Sequence, residues 1–385
     1  MLIKRGLDLP ELLKRKSHFL FGPRGTGKTS LVHKSFGAEI PFIDLLSDDV
    51  YSRLLRRPSL LEELLPKGTS FAIVDEIQKI PTLLDEVQRL IETKRIKFLL
   101  TGSSARKLKR GGANLLGGRA WESNIFPFTS FELGESFDLL RYLNTGGLPP
   151  IYLSDYPEDE LRNYIKLYLK EEIQAESLVK RLDHFARFLD TAALANSEEL
   201  NFENIANDAG VPARTVASYF EILEDTLVGF QVLPFARTKK RKAIKRSKFY
   251  FFDVGVAGAL AKRGQIQEAS ESYGKAFEHF IAQELRAYLS YNVLDLDLCY
   301  WRSTTQLEVD FIVGNQLAIE VKSSHNISKR HLAGLKALEE EGLVKKFIVV
   351  SNDPIPRVME GVELFHWREF LGRLWSNEIV QRLKG

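Results

Sequence analysis

The chain has 385 residues, enough for two or three domains of about 150 residues each, and 44% hydrophobic with 27% charged residues is a globular balance that excludes disorder as the main theme. Lys and Arg number 54 against 51 Asp and Glu, a net charge of +3, so attraction to polyanions must come from local patches. The single cysteine, Cys299, excludes an intramolecular disulfide and a Cys-rich zinc site and fits a reducing, cytoplasmic setting.

No apolar run approaches the about 18 residues that span a bilayer, and the N-terminus lacks a signal-peptide core, so no membrane partner is expected. From Ser17 to Pro150, HFLF (18–21), IPFIDL (40–45), FAIVDE (71–76) and IKFLLTGS (96–103) read as buried strands, and LLDEVQRLIE (83–92) as a helix. That alternation predicts a parallel sheet covered by helices. A breaker cluster at Gly146, Gly147, Pro149 and Pro150 closes a first domain over 1–150.

Between HFLF and the helix TSLVHK stands Gly22-Pro23-Arg24-Gly25-Thr26-Gly27-Lys28-Thr29, a match to G-x-x-x-x-G-K-[ST]. Glycines let backbone N–H groups curl around phosphate oxygens, Lys28 reaches the β and γ phosphates, and Thr29 ligates Mg²⁺. These residues, with Ser30 behind them, form the expected nucleotide site. FAIV then delivers Asp75 and Glu76 to the same sheet edge, Asp75 to hold Mg²⁺ through water and Glu76 to polarise the attacking water. A hydroxyl of Thr101-Gly102-Ser103-Ser104 is placed to sense the γ-phosphate. Arg119 is the candidate cationic finger, in cis or from a neighbouring subunit, after a loop with Gly111, Gly112, Gly117 and Gly118.

Residues 151–255 read as a helical module, with Tyr164, Leu167, Tyr168 and Glu171, then Leu182, Phe185, Phe188 and Leu189, at spacings of three and four. A helix from Asn201 ends at Ala209-Gly210, and another starts after Pro212 with Val216, Phe220, Leu223 and Leu227 along one face. That is a helix-turn-helix pattern, in which Arg214, Thr215, Ser218 or Tyr219 would face a nucleic-acid groove. ARTKKRKAIKRSK (236–248) follows where the wing of a winged helix would lie. Its Arg237, Lys239, Lys240, Arg241, Lys242, Lys245, Arg246 and Lys248, with no acidic residue, are suited to phosphate contact. The expected partner is DNA.

Residues 256–385 return to an α/β texture after the strand FYFFDV (249–254). Asp310 precedes a Gly-Asn turn and Glu320 and Lys322 follow it; alternation puts the last two on one face, and a hairpin brings Asp310 beside them. Asp310 and Glu320 are expected to hold a metal, Glu278 to complete the acidic cluster, and Lys322 to stabilise a hydroxide attacking a phosphodiester. An ion-paired hairpin without catalysis is the alternative.

Taken in order, GPRGTGKTSL, FAIVDEIQKIP, FLLTGSSARKL, GGRAW with FPFTSFE, KFYFFDVGV, YWRSTTQLEVDFIV and LAIEVKSS resemble a family of prokaryotic AAA-type ATPases whose chain continues into a winged helix and a C-terminal restriction-endonuclease-like domain. Where the family often has Gly before EVD, this chain has Gln306-Leu307. The resemblance implies an ATP site at Lys28, Thr29, Asp75 and Glu76, and a nuclease-like core at Asp310, Glu320 and Lys322. It also implies an ATPase coupling nucleotide state to DNA binding and to a nuclease site, or a DNA-binding regulator with a silent C-terminal fold. Assembly of several copies is expected, since such ATPases often build sites between subunits.

Overall fold

The structure, a computed structural model, describes residues 3–37, 39–103, 106, 108, 116–169, 181–268 and 270–380, with the backbone alone at 167–169. Ser104, Gly111, Gly112 and Glu171 lie outside the described residues. The chain forms two units, Met1–Phe126 with Ile222–Val228, and Pro127–Glu221 with Gly229–Gly385.

In the first unit β1 (Ser17–Phe21), β2 (Phe42–Asp44), β3 (Phe71–Asp75), β4 (Lys97–Gly102) and β5 (Ala120–Asn124) form one sheet in the order β2-β3-β4-β1-β5, every pair parallel. Both faces are covered, so β1 is buried along its whole length and reads as an unbroken run rather than an alternating one. Phe19, Phe21, Val74, Phe98 and Leu100 pack with Val87 and Leu90 of the helix Leu83–Lys94. Because the strands run parallel, their C-terminal ends share one edge of the sheet. β4 lies between β1 and β3 there, so Thr101 stands between the end of β1 and the end of β3.

The second unit carries an eight-stranded mixed sheet in the order β12-β13-β11-β10-β9-β8-β6-β7. Its strands are β6 (Gly229–Pro234), β7 (Lys248–Phe251), β8 (Leu298–Arg302), β9 (Glu308–Val313), β10 (Leu317–Lys322), β11 (Lys346–Ser351), β12 (Arg357–Met359) and β13 (Val362–His366). β9 and β10 are the antiparallel hairpin, in register at Ile319 with Phe311 and closed at Gly314, whose φ of +55 suits glycine. The long helix Glu271–Tyr291 packs on β10.

Two sequence boundaries shift. β6 and β7, expected in the helical module ending at 255, belong to the same sheet as the strands of 256–380. The strand expected over 249–254 stops at Phe251, because Asp253 turns the chain into the helix Val254–Leu260: its Oδ1 accepts the N–H groups of Gly255 (2.9 Å) and Val256 (3.0 Å). The succession of helix, glycine turn and helix is present. Asn201 caps the helix Phe202–Ala209, Gly210 ends it at a φ of +62, and the helix Ala213–Asp225 follows.

Candidate active site

The loop after β1 is bent by glycine at two places: Gly25 and Gly27 take φ values of +80 and +86, where side chains are rarely tolerated. At Gly22 a Cβ would come within 2.5 Å of the Ile125 side chain, so the loop lies close under the end of β5. The helix Lys28–Phe36 starts directly behind, with its first N–H groups and the positive end of its dipole facing the loop. Lys28 is buried, and its Nζ donates to the carbonyls of Gly22 (2.6 Å) and Pro23 (3.2 Å). Thr26 Oγ1 also donates to Pro23 O (2.7 Å), while Arg24, Thr29 and Ser30 stay exposed. Arg5 braces the loop from behind, donating to the carbonyls of Thr26 and Phe126 (2.6 Å each).

Across the edge, Thr29 Oγ1 donates to Asp75 Oδ2 (3.3 Å), which unites the two expected magnesium-side residues. Thr101 Oγ1 hydrogen-bonds to Asp75 and accepts the N–H of Glu76 (3.2 Å). Its hydroxyl, expected to sense the γ-phosphate, is thus engaged in holding the acidic pair. Burial pushes the Asp75 carboxyl up against the pull of the Thr101 hydrogen bond, with Glu76 and Asp44 adding to the rise. Glu76 sits at a φ of +59, a left-handed conformation that costs a non-glycine residue on the order of 1 kcal/mol and is met at functional sites. Gln78 Nε2 donates to its carboxylate and to Ser103 Oγ (3.2 Å). A side chain at Gly102 would strike Gln78 Oε1 at 2.5 Å, so this strand end is shaped to admit the glutamine.

The loop, the helix start and the Thr29–Asp75 pair therefore fit a nucleoside triphosphate with Mg²⁺. Arg119 does not join them. It precedes β5, whose Ala120 aligns with Ser17 at the start of β1, at the opposite end of the sheet from the loop. Its Nη2 pairs with Glu92 at 2.6 Å on the helix Leu83–Lys94. A finger role in cis is excluded by that placement.

In the second unit the hairpin brings Asp310, Glu320 and Lys322 together as alternation requires. Lys322 Nζ lies 2.5 Å from Glu320 Oε1, and Asp310 Oδ2 accepts the N–H of Val321 (2.7 Å). Glu320 Oε2 is buried without a hydrogen-bond partner. Lys248, expected on an exposed wing, is instead buried here, 3.1 Å from Glu278, 2.6 Å from Glu308 and 4.0 Å from Asp310. The wing reading fails at this position because β7 begins at Lys248, and the strand pairing turns its side chain into the cluster. Tyr250, two residues on, donates its hydroxyl to Glu278 Oε1 (2.6 Å).

Burial works against the Lys248 ammonium, but Glu278, Tyr250, Asp310 and Glu308 outweigh it and hold its pKa well above the ordinary lysine value. Burial pushes Glu278 and Glu320 up. Among the described residues, no three His, Cys, Asp or Glu side chains are grouped so as to hold a metal ion. The expected acidic triad of Asp310, Glu320 and Glu278 is therefore not formed: the Glu278 carboxylate is taken up by Lys248 and Tyr250.

On the helix-turn-helix, Arg214 and Ser218 are exposed and Thr215 half-buried, whereas Tyr219 is buried with its ring 4.9 Å from Phe185 and cannot face a groove. Of the basic run, Arg237, Lys239, Lys240, Lys242, Lys245 and Arg246 are exposed. Arg241 pairs with Glu340 (2.7 Å), and the Glu341 carboxylate accepts the N–H groups of Lys239 (2.8 Å), Lys240 and Arg241 (2.9 Å each). Those contacts hold the loop in one shape. Sequence reading missed Arg5, Gln78, Glu308 and the true place of Lys248. For Lys248 the signal was its position at the start of an aromatic strand, KFYF, that is buried along its whole length.

The sheet and loop define a P-loop nucleotide-binding protein. Residues 14–134 match the AAA domain family, which fits the parallel sheet and phosphate loop found there. Residues 136–267 and 273–370 match two domains of unknown function, DUF8612 and DUF4143. Over 365 residues the chain is 28% identical to an uncharacterized protein of Mycobacterium tuberculosis, covering 88% of this chain and 79% of that one. An uncharacterized protein of Methanocaldococcus jannaschii is 22% identical over 346 residues, 81% of this chain and 75% of the relative. One of Haemophilus influenzae is 24% identical over 280 residues, 66% and 65% of the two chains. Among the described residues no helix is long and apolar enough to cross a membrane.

Proposed function

We propose that the protein is an Mg²⁺-dependent ATPase whose nucleotide state controls DNA binding by the helix-turn-helix and the basic loop, with a catalytically silent C-terminal fold. The observation that carries the ATPase is the convergence of Lys28, Thr29, Asp75 and Glu76 on one sheet edge. Thr29 and Asp75 would hold Mg²⁺, which when bound supplies positive charge to the phosphate oxygens. Lys28 binds the terminal phosphates, and Glu76, oriented by Gln78 and the Thr101 hydroxyl, takes the proton of the attacking water. Closed by Lys248, the carboxylate cluster favours the silent fold.

The test is filter retention of labelled duplex DNA across a salt series, with and without ATP. Replacing Lys239, Lys240, Lys242 and Lys245 by Ser is expected to flatten the log–log salt slope by about one for each phosphate that a lysine no longer neutralises. An unchanged slope rejects the basic loop as the DNA-binding surface. A second reading, a nuclease, is favoured by the unpartnered Glu320 Oε2. DNA cleavage in Mg²⁺ or Mn²⁺ that Asp310→Ala or Lys322→Ala removes would replace the silent fold with that reading.

A further inference from the structure

The second unit contains a cleft of about 860 Å³, formed within the 136–267 segment and bordered by Arg141, Asn144, Leu161, Gly258, Lys262 and Arg263. That volume lies in the range of small-molecule sites, about 300–1,000 Å³. Arg263 is its unusual member. The guanidinium donates from Nη2 to the carbonyl of Leu143 (2.9 Å), and its Nε is buried with no hydrogen-bond partner. Among the described residues no carboxylate pairs with it, and desolvation draws its pKa down to about 10.

Arg141 shares the arrangement. It donates to the carbonyls of Tyr152 and Ser154 (2.7 Å each), dipoles that orient a guanidinium without cancelling its charge. By contrast, Lys262 on the same cleft has an ion-pair partner in Asp190 at 3.0 Å. The helix Val254–Leu260 is cut away where Arg263 lies: a Cβ at Gly258 would come within 2.4 Å of its Nη2. A desolvated cation without a counter-charge is costly, and an anion that brings one recovers the cost. Asp138 and Glu158 also border the cleft, so the anion must meet the arginines and not the whole wall.

We infer that this cleft binds a small phosphate-bearing molecule, with the Arg263 guanidinium as the principal charge partner of its phosphate and Arg141 as the second. The planar fork of arginine suits a tetrahedral oxyanion, and a phosphate carries up to two charges for two guanidiniums.

The experiment uses the full chain with Lys28→Ala, which silences the phosphate loop, and titrates inorganic phosphate by calorimetry. One saturable site is expected, weakened at least tenfold by adding Arg263→Met and several-fold by adding Gly258→Ala, which crowds Nη2 but keeps the arginine. Acetate at the same concentrations is expected not to saturate. Absence of a saturable site in the Lys28→Ala chain, or equal binding with and without Arg263→Met, overturns the inference, and equal binding of acetate overturns its phosphate class. Thermal unfolding without ligand separates a structural role. Loss of an uncompensated charge is expected to leave the midpoint of Arg263→Met unchanged or higher. A fall of several degrees, with binding in Gly258→Ala also unaltered, would assign Arg263 to closing the helix end at Leu143 and reject the site.

Discussion

Lys28 and Lys248 are both buried lysines beside carboxylates, yet their hydrogen bonds run to opposite kinds of acceptor. Lys28 Nζ donates to the carbonyls of Gly22 and Pro23, and its charge acts on Asp75 across the sheet edge. Lys248 Nζ is held by the carboxylates of Glu278 and Glu308. Carbonyl dipoles orient an ammonium and keep its charge for an arriving phosphate; carboxylates neutralise that charge inside the fold. A lysine in a cluster of functional-looking residues is thus read by its acceptors and not by its burial.

The sharpest break of that comparison is Lys28→Ala. Loss of the ammonium should cut ATP turnover on the order of a thousandfold, about 4 kcal/mol of transition-state stabilisation, as measured by steady-state phosphate release. The fold should persist, since the ammonium donates to carbonyls of its own loop. Turnover near that of the wild type would remove Lys28 from the chemistry.

Lys248→Met should do the reverse, costing stability of about 3–5 kcal/mol because Glu278, Glu308 and Asp310 lose their shared cation. Urea unfolding followed by fluorescence measures it. A cost below about 1 kcal/mol would mean that the carboxylates are compensated by another route, and the contrast between the two lysines would narrow.

The two sites also differ in how far the sequence discloses them. The phosphate loop is a contiguous string whose function demands Gly, Lys and Thr at fixed spacing, and Asp75-Glu76 ends an apolar run, so each is legible locally. On the hairpin, Asp310, Glu320 and Lys322 follow from period-two alternation. Lys248 is separated from Asp310 by 62 positions and sits at the end of a basic run, so its charge suggested solvent until strand pairing fixed its direction. β5 was hidden because AWESN is half exposed, and β12 because an edge strand of three residues carries little pattern. Arg5 carries no local signal at all, since its partner Thr26 is 21 residues away.

Carboxylates with and without a lysine offer a smaller test. Glu284, on the helix Glu271–Tyr291, accepts from Ser130 N (2.6 Å) and Trp375 Nε1 (2.8 Å) but pairs with no cation among the described residues, and burial pushes it up to about 7. The folded chain therefore keeps a proton that the unfolded chain releases near its ordinary value of 4.5. Stability contributed by this group is full below that value and falls as pH rises toward about 7, by up to about 1.4 kcal/mol per pH unit and about 3 kcal/mol in all. Urea midpoints at pH 5, 6, 7 and 8 should show this fall, and Glu284→Gln should flatten it. An equal slope in the variant would place the pH dependence on another group.

The smallest direct effect is expected at Arg119. Its pair with Glu92 is exposed on both sides, 38% and 45%, so Arg119→Ala should change stability by less than about 1 kcal/mol. Its place at the start of β5 leaves only a neighbouring copy's nucleotide within reach of a finger role. Turnover per chain should then rise with protein concentration in the wild type and stay flat in Arg119→Ala, while the two agree at high dilution. Parallel curves at every concentration would confine Arg119 to its bond with Glu92, and Lys28 would have to neutralise the transition state without a finger from this loop.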